Sequence, residues 1–199
     1  MKKFAILTAP ALALALLSAC AASAPKSSLE APATSSPGAY FANLLTLCGQ
    51  THEGRLATND PADADFAGKR LVLGPVDCMA ADVVRIPFAV GEDRSRTWVI
   101  TRLRDSTAGD RVRLKHDHRH ADGTEDALSQ YGGDSIDAGT ATRQSYRVDA
   151  FTRELFISQN IPRSLPNVWS VDIEPGKRFA YELKRPGRLF QVEFDLTAD

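Results

Sequence analysis

The sequence predicts a mainly β chain, folded as an antiparallel up-and-down β-barrel with one helix in front and a short helix near residues 149–160. A β-sandwich is the alternative. Short β-rich runs recur between Gly, Pro and Asp from residue 70 onward. Two hairpins can be registered from their own apolar faces, and only two segments carry helical spacing.

Ser36-Pro37 opens the first helix with a hydroxyl N-cap and a proline at the first helical position. Tyr40, Phe41, Leu44, Leu45 and Cys48 then share one face, and Gly49 ends it. Residues 70–73, 83–90, 98–104 and 111–120 read as strands. A hairpin across residues 106–109 is expected to pair Leu103 with Val112, Thr101 with Leu114 and Val99 with His116. That register collects Arg102, Arg104, Arg111, Arg113 and Lys115 on the opposite face.

Tyr131-Gly132-Gly133 through Gly139 lacks the Gly-Lys-Ser/Thr ending of a phosphate loop and reads as turn glycines. Asp149 is placed as an N-cap before Phe151, Leu155 and Phe156 at helical spacing. Trp169, Val171 and Ile173 alternate ahead of Pro175-Gly176. Pro186-Gly187 is a type II turn centre that pairs Leu183 with Phe190, Tyr181 with Val192 and Phe179 with Phe194. Glu182, Lys184, Gln191 and Glu193 then point outward, and the last three strands form a meander.

The amino terminus has a different character. Lys2 and Lys3 precede an apolar run over residues 4–17, which closes on Leu17-Ser18-Ala19-Cys20. A basic start, a short apolar core and small residues at the cut make a secretory signal, too short for a spanning helix. All four closing positions match the lipobox that this segment resembles, that of bacterial lipoproteins. The resemblance implies acylation of Cys20, cleavage before it and anchoring in the bilayer, and Ala21 in place of Asp implies the outer membrane, facing the periplasm. The expected domains are a signal peptide over 1–19, a lipidated Ala/Ser/Pro/Thr tether over 20–36, and one β-rich domain over 37–199.

With Cys20 assigned to lipid, Cys48 and Cys78 remain as a pair in an oxidising compartment, where a disulfide persists. Removing the signal takes two of the 24 basic side chains and none of the 25 acidic ones, moving the formal charge from −1 to −3. No clustered basic surface of a nucleic-acid binder is expected, and the chain is read as a monomer.

Three of the four histidines fall in one strand, as His116-Asp117-His118-Arg119-His120. Period two puts all three on one face, continuous with Leu114 and Val112 and therefore inward, with Asp117 and Arg119 outside. Imidazole is the usual protein ligand of zinc or copper. Residues two apart on a strand lie roughly 6.6 Å apart and can share an ion, whereas those four apart, at roughly 13 Å, cannot. A His116/His118 or His118/His120 pair is thus the candidate metal site, with His52 or Glu53 completing it. Hydrogen-bonded histidines at a barrel rim are the alternative.

Aligning Gly123 with the EF-hand glycine leaves Ser129 where a bidentate Glu is required, so 122–126 reads as an acidic turn. No Gly-x-Ser-x-Gly elbow and no free cysteine offers a nucleophile.

The stretch from residue 114 to 133, with Lys-His-Asp-His-Arg-His, Asp-Gly and Tyr-Gly-Gly, resembles a family of exported bacterial proteins that brings no function with it. Residues 41–54 are similar to the first strand of calycin-like (lipocalin-type) barrels, without the Gly-x-Trp of lipocalins. Three functions are expected from this sequence: a barrel binding a small ligand or metal, a metal-dependent hydrolase, or an envelope interaction protein. In the last, the basic sheet face would meet an acidic partner or lipid A phosphates.

Overall fold

Alternation of apolar and polar residues gives each strand one face to bury, and a sheet of such strands must either be covered or close on itself. The computed structural model describes Met1 and residues 36–197, and here the sheet closes. Residues 20–35 of the expected tether, Cys20 among them, and all but the first residue of the expected signal peptide lie outside the described residues, while Ser36 already belongs to the first helix. The strands are β1 (His52–Leu56), β2 (Leu71–Leu73), β3 (Val83–Val90), β4 (Asp93–Leu103) and β5 (Arg111–His118). They continue as β6 (Tyr131–Asp134), β7 (Arg143–Arg147), β8 (Val168–Glu174), β9 (Arg178–Arg185) and β10 (Arg188–Asp195).

Each strand pairs with its sequence neighbours except β6 with β7, and β1 pairs with β10. The result is a ten-stranded antiparallel up-and-down barrel, nearly closed, with two short helices, α1 (Ser36–Leu45) and α2 (Ala150–Ser158). Inward residues such as Leu73, Ile86, Tyr146, Trp169, Phe179 and Phe194 are fully buried.

The final gap lies between β6 and β7. It is bridged by Ser135 opposite Tyr146, with Ile136 N–H donating to Ser145 O at 2.8 Å and Asp149 N–H to Gly132 O at 3.0 Å. Thr152 on α2 completes it, since its hydroxyl accepts from Gly132 N–H at 2.8 Å and donates to Gly132 O at 2.9 Å. Gly132 and Gly133 are therefore strand residues, not the turn glycines expected. A Cβ on Gly133 would sit 1.9 Å from Arg147 O, so only glycine lets the two backbones meet.

The C-terminal meander follows the expected register at every pair: Leu183 with Phe190, Tyr181 with Val192, Phe179 with Phe194. Asp149 caps α2, accepting from Thr152 N–H at 2.8 Å. In α1, Tyr40, Phe41 and Leu44 are buried as expected, but Leu45 is exposed and the helix stops there. Leu47, in the following turn, takes the buried place instead. Tyr40 donates to Val171 O at 3.4 Å and accepts from Tyr146 at 3.3 Å, fixing α1 against the barrel wall.

The β4–β5 register differs by one residue from the expected one. Trp98 pairs with His116, Ile100 with Leu114 and Arg102 with Val112. The observed register buries Trp98 and Ile100, whereas the expected one buried Val99 and Thr101, and the larger apolar area decides. The loop over 104–110 absorbs the shift, with Asp105 accepting from Thr107 and Ala108 N–H at 2.8 Å each. Arg102 consequently leaves the outward basic set and joins the face of Ile100, where Asp110 neutralises it.

Cys48 and Cys78 are disulfide-bonded, closing a separation of 30 residues between the end of the α1 turn and the β2–β3 loop. Reducing the bond should lower stability by about 3–4 kcal/mol from the loop-closure entropy returned to the unfolded chain. Urea denaturation with and without reductant measures it. Gly133→Ala should cost about 3 kcal/mol or more by forcing β6 from β7. Gly187→Ala, with φ +70° and nothing near its missing Cβ, should cost only about 1 kcal/mol in the same assay.

Candidate functional site

Trp98 on β4 and Tyr181 on β9 come from opposite sides of the barrel and stack at a centroid distance of 4.5 Å and 18° between planes. Phe88 on β3 extends the stack, 4.6 Å from Trp98 at 15°. This row of rings spans the interior. Beside it is a cavity of about 220 Å³, bounded also by Phe190, Leu183, His116, His118 and Tyr131. Its charged lining residues are Arg96, Arg185 and Arg188, with no carboxylate among them.

The loop over 57–70, between β1 and β2, lies across this cavity as a strap. Its Phe66 ring sits 4.7 Å from Phe190 and 6.3 Å from Phe88, with the Arg96 guanidinium 5.7 Å from its centroid. A 3₁₀ turn at Pro61–Asp63 fixes the strap, because Asp63 is buried and bonded to Arg188. Asp60 accepts from the same guanidinium at 3.2 Å, and Thr58 donates to Asp63 at 2.8 Å. Breaking a buried pair of this kind by removing one partner costs about 3–5 kcal/mol, so the strap is firmly held.

His116 is buried, and both of its ring nitrogens are engaged. Tyr131 O, 3.0 Å from Nδ1, can only accept, so Nδ1 carries the proton and Nε2 accepts from the Tyr181 hydroxyl at 2.8 Å. The Tyr131 ring stacks on the imidazole at 4.3 Å and 12°. Burial drives the His116 pKa down to about 3, so the ring is neutral. His118 is half-buried in the cavity wall, 3.3 Å from the Tyr131 hydroxyl through Nε2. Burial, then the nearby Arg96, lowers its pKa as well.

The expected histidine face is therefore only partly assembled. His116 and His118 both reach the cavity, but β5 stops at His118. The chain turns there, leaving His120 exposed and 3.9 Å from Asp126. His52 belongs to a different depression with Leu47 and Leu196, and bonds Gln50 at 2.8 Å. Glu53 is exposed and paired with Arg70. Among the described residues, no three His, Cys, Asp or Glu side chains gather as a metal site would require. Asp117, placed outside as expected, is nevertheless buried, held by Arg119 at 3.0 Å and Gln130 at 3.1 Å.

The basic residues once grouped on one sheet face each have an aspartate partner. Arg104 pairs with Asp82, Arg111 and Arg113 with Asp134, Lys115 with Asp149, and the inward-shifted Arg102 with Asp110. The face is largely neutralised, its four outward cations meeting three aspartates.

Sequence reasoning placed Tyr181 and Phe190 in the core and passed over Arg185 and Arg188. A signal was present: those arginines flank Pro186-Gly187 and are direct cross-strand partners, an arrangement of like charges that is destabilising by itself.

A folded His116 with a depressed pKa contributes stability that is full above the unfolded value of about 6.5 and lost as pH falls toward 3. His116→Phe should remove up to about 1.4 kcal/mol per pH unit from the acid dependence of unfolding in that window. It should also cost about 1–3 kcal/mol at pH 7, by leaving the Tyr181 hydroxyl without its acceptor. Urea midpoints of both proteins across pH 3–7 give the comparison.

No protein-family model, no curated protein and no solved structure matches the chain.

Proposed function

We propose that the chain is a lipid-anchored binding protein of the bacterial envelope, tethered through acylated Cys20 and holding one small organic ligand inside its barrel. The observation that carries this reading is the cavity beside the stacked Phe88, Trp98 and Tyr181 rings. Concave, mainly apolar sites with a few convergent polar groups are where small ligands bind. The polar groups here are His118, the Tyr131 hydroxyl and the arginines. Among the described residues, no helix is long and apolar enough to cross a membrane.

A metal-binding or metal-dependent hydrolytic reading would have to build on His118. His116 already spends both nitrogens, and His52 and His120 lie outside the cavity. An interaction surface for acidic partners would have to compete with the aspartates already paired to the basic face.

Native mass spectrometry of the full chain, exported and purified under native conditions, tests the binding function. A co-purified species of low mass should be present, and Leu183→Trp, which fills the cavity, should lose it while keeping the fold. A chain that carries nothing and shows no change in Tm across a panel of small apolar compounds overturns the reading. Metabolic labelling with a palmitate analogue tests the anchor, and Cys20→Ser should abolish it.

A further inference from the structure

The charge balance of the cavity identifies the kind of ligand it suits. Three arginines line it, and two of them are neutralised by the protein: Arg188 by Asp60 and Asp63, Arg96 by Asp93. Arg185 has no carboxylate partner among the described residues. Its Nη1 donates to Ser164 Oγ at 3.3 Å and Asn167 Oδ1 at 3.1 Å, both neutral, while its Nε and Nη2 donors have no protein acceptor there. That free edge is the planar fork that matches a carboxylate with two parallel hydrogen bonds.

The surroundings raise the cost of leaving it empty. Arg185 sits opposite Arg188 across the β9–β10 ladder, and its pKa is lowered by burial and by the guanidiniums of Arg163 and Arg188. An uncompensated positive field therefore persists at one side of an aromatic cavity. The aromatic walls alone would also suit a quaternary ammonium, but the unpaired Arg185 and the lack of a lining carboxylate disfavour a cation.

Size narrows the class further. Cavities of about 150 Å³ accept a benzene ring, and pockets for drug-sized ligands begin near 300 Å³. At about 220 Å³ this cavity matches one ring or a fused pair with a small substituent. The walls are largely aromatic, with the edges of the Trp98 and Tyr181 stack beside Phe66, Phe190 and Tyr131, which favours an aromatic body that can pack edge-to-face against them.

Resting on the ligand-binding reading above, we infer that the cavity takes a compact aromatic carboxylate, its ring against Trp98, Tyr181 and Phe190 and its carboxylate on the free edge of Arg185. Titration calorimetry of the full chain with 1-naphthoate and the neutral isostere 1-naphthamide, at low salt near pH 7, tests this. Naphthoate should bind about tenfold or more tighter than the amide. R185Q should weaken naphthoate by about tenfold and leave the amide unchanged, which also shows that the cavity remains folded. Arg185→Lys, which keeps the charge but not the fork, should fall between them. Equal binding of acid and amide, or an R185Q that weakens both alike, overturns the carboxylate assignment and leaves the small-ligand reading standing. Binding of neither compound to the unaltered chain overturns the aromatic-carboxylate inference, and the co-purified species then decides the small-ligand reading separately.

Discussion

The barrel depends on how its first half meets its second, at the contact between β6 and β7. Eight strand pairings run through ordinary hairpins and loops, and β1 with β10 makes a ninth. The remaining contact, between β6 and β7, has to be made by short strands without a continuous ladder. An open edge would leave unpaired backbone donors and acceptors next to an apolar interior, and no side chain could cover them from outside. Gly133 solves the steric part by letting the β6 and β7 backbones approach, while Gly132 does the same for β6 against β5. Thr152 solves the electrostatic part, with one hydroxyl serving both the N–H and the C=O of Gly132. The cap at Asp149 orients α2 so that this hydroxyl is in place, and Lys115 on β5 binds the same aspartate at 2.6 Å.

The closed wall in turn allows the interior to be divided. Rings from opposite strands meet only because the circumference is fixed, and the Trp98–Tyr181 stack is the place where they do. The His116 side chain hangs from this stack by its bond to Tyr181 and is braced by Tyr131. The imidazole that looked like a metal ligand is thus a tie between β5, β6 and β9. His118, two residues further along, has left the packed region and faces the cavity. Neighbouring residues of one type acquire different roles because the depth of burial changes along the strand.

The parts of this fold legible in the sequence were those where local chemistry and apolar pattern agreed. Pro186-Gly187 fixed both the position and the length of its turn, so alternation on either side could be counted outward without ambiguity. The β4–β5 loop offered no such origin: with seven residues between the strands, two registers were open, and the choice rested on where Trp98 would go. Glycine in β6 carried the signature of a turn because the reason for it, a backbone neighbour from β7, is far away in sequence. Strand β7 itself, Arg-Gln-Ser-Tyr-Arg, buries Gln144 and Tyr146, and a buried glutamine does not register as an apolar position. The cavity was illegible for a related reason. Its walls are core residues, and whether a barrel core is filled or hollow depends on volumes summed over many strands.

The strap over residues 57–70 has a consequence for the shape of the cavity. Phe66 is pinned by aromatic contacts, and the chain beneath it by a carboxylate pair sharing Arg188. That side of the cavity is therefore held by the fold itself, through Phe66 and the Arg188 pair, so its outline stays the same whether the space is empty or filled.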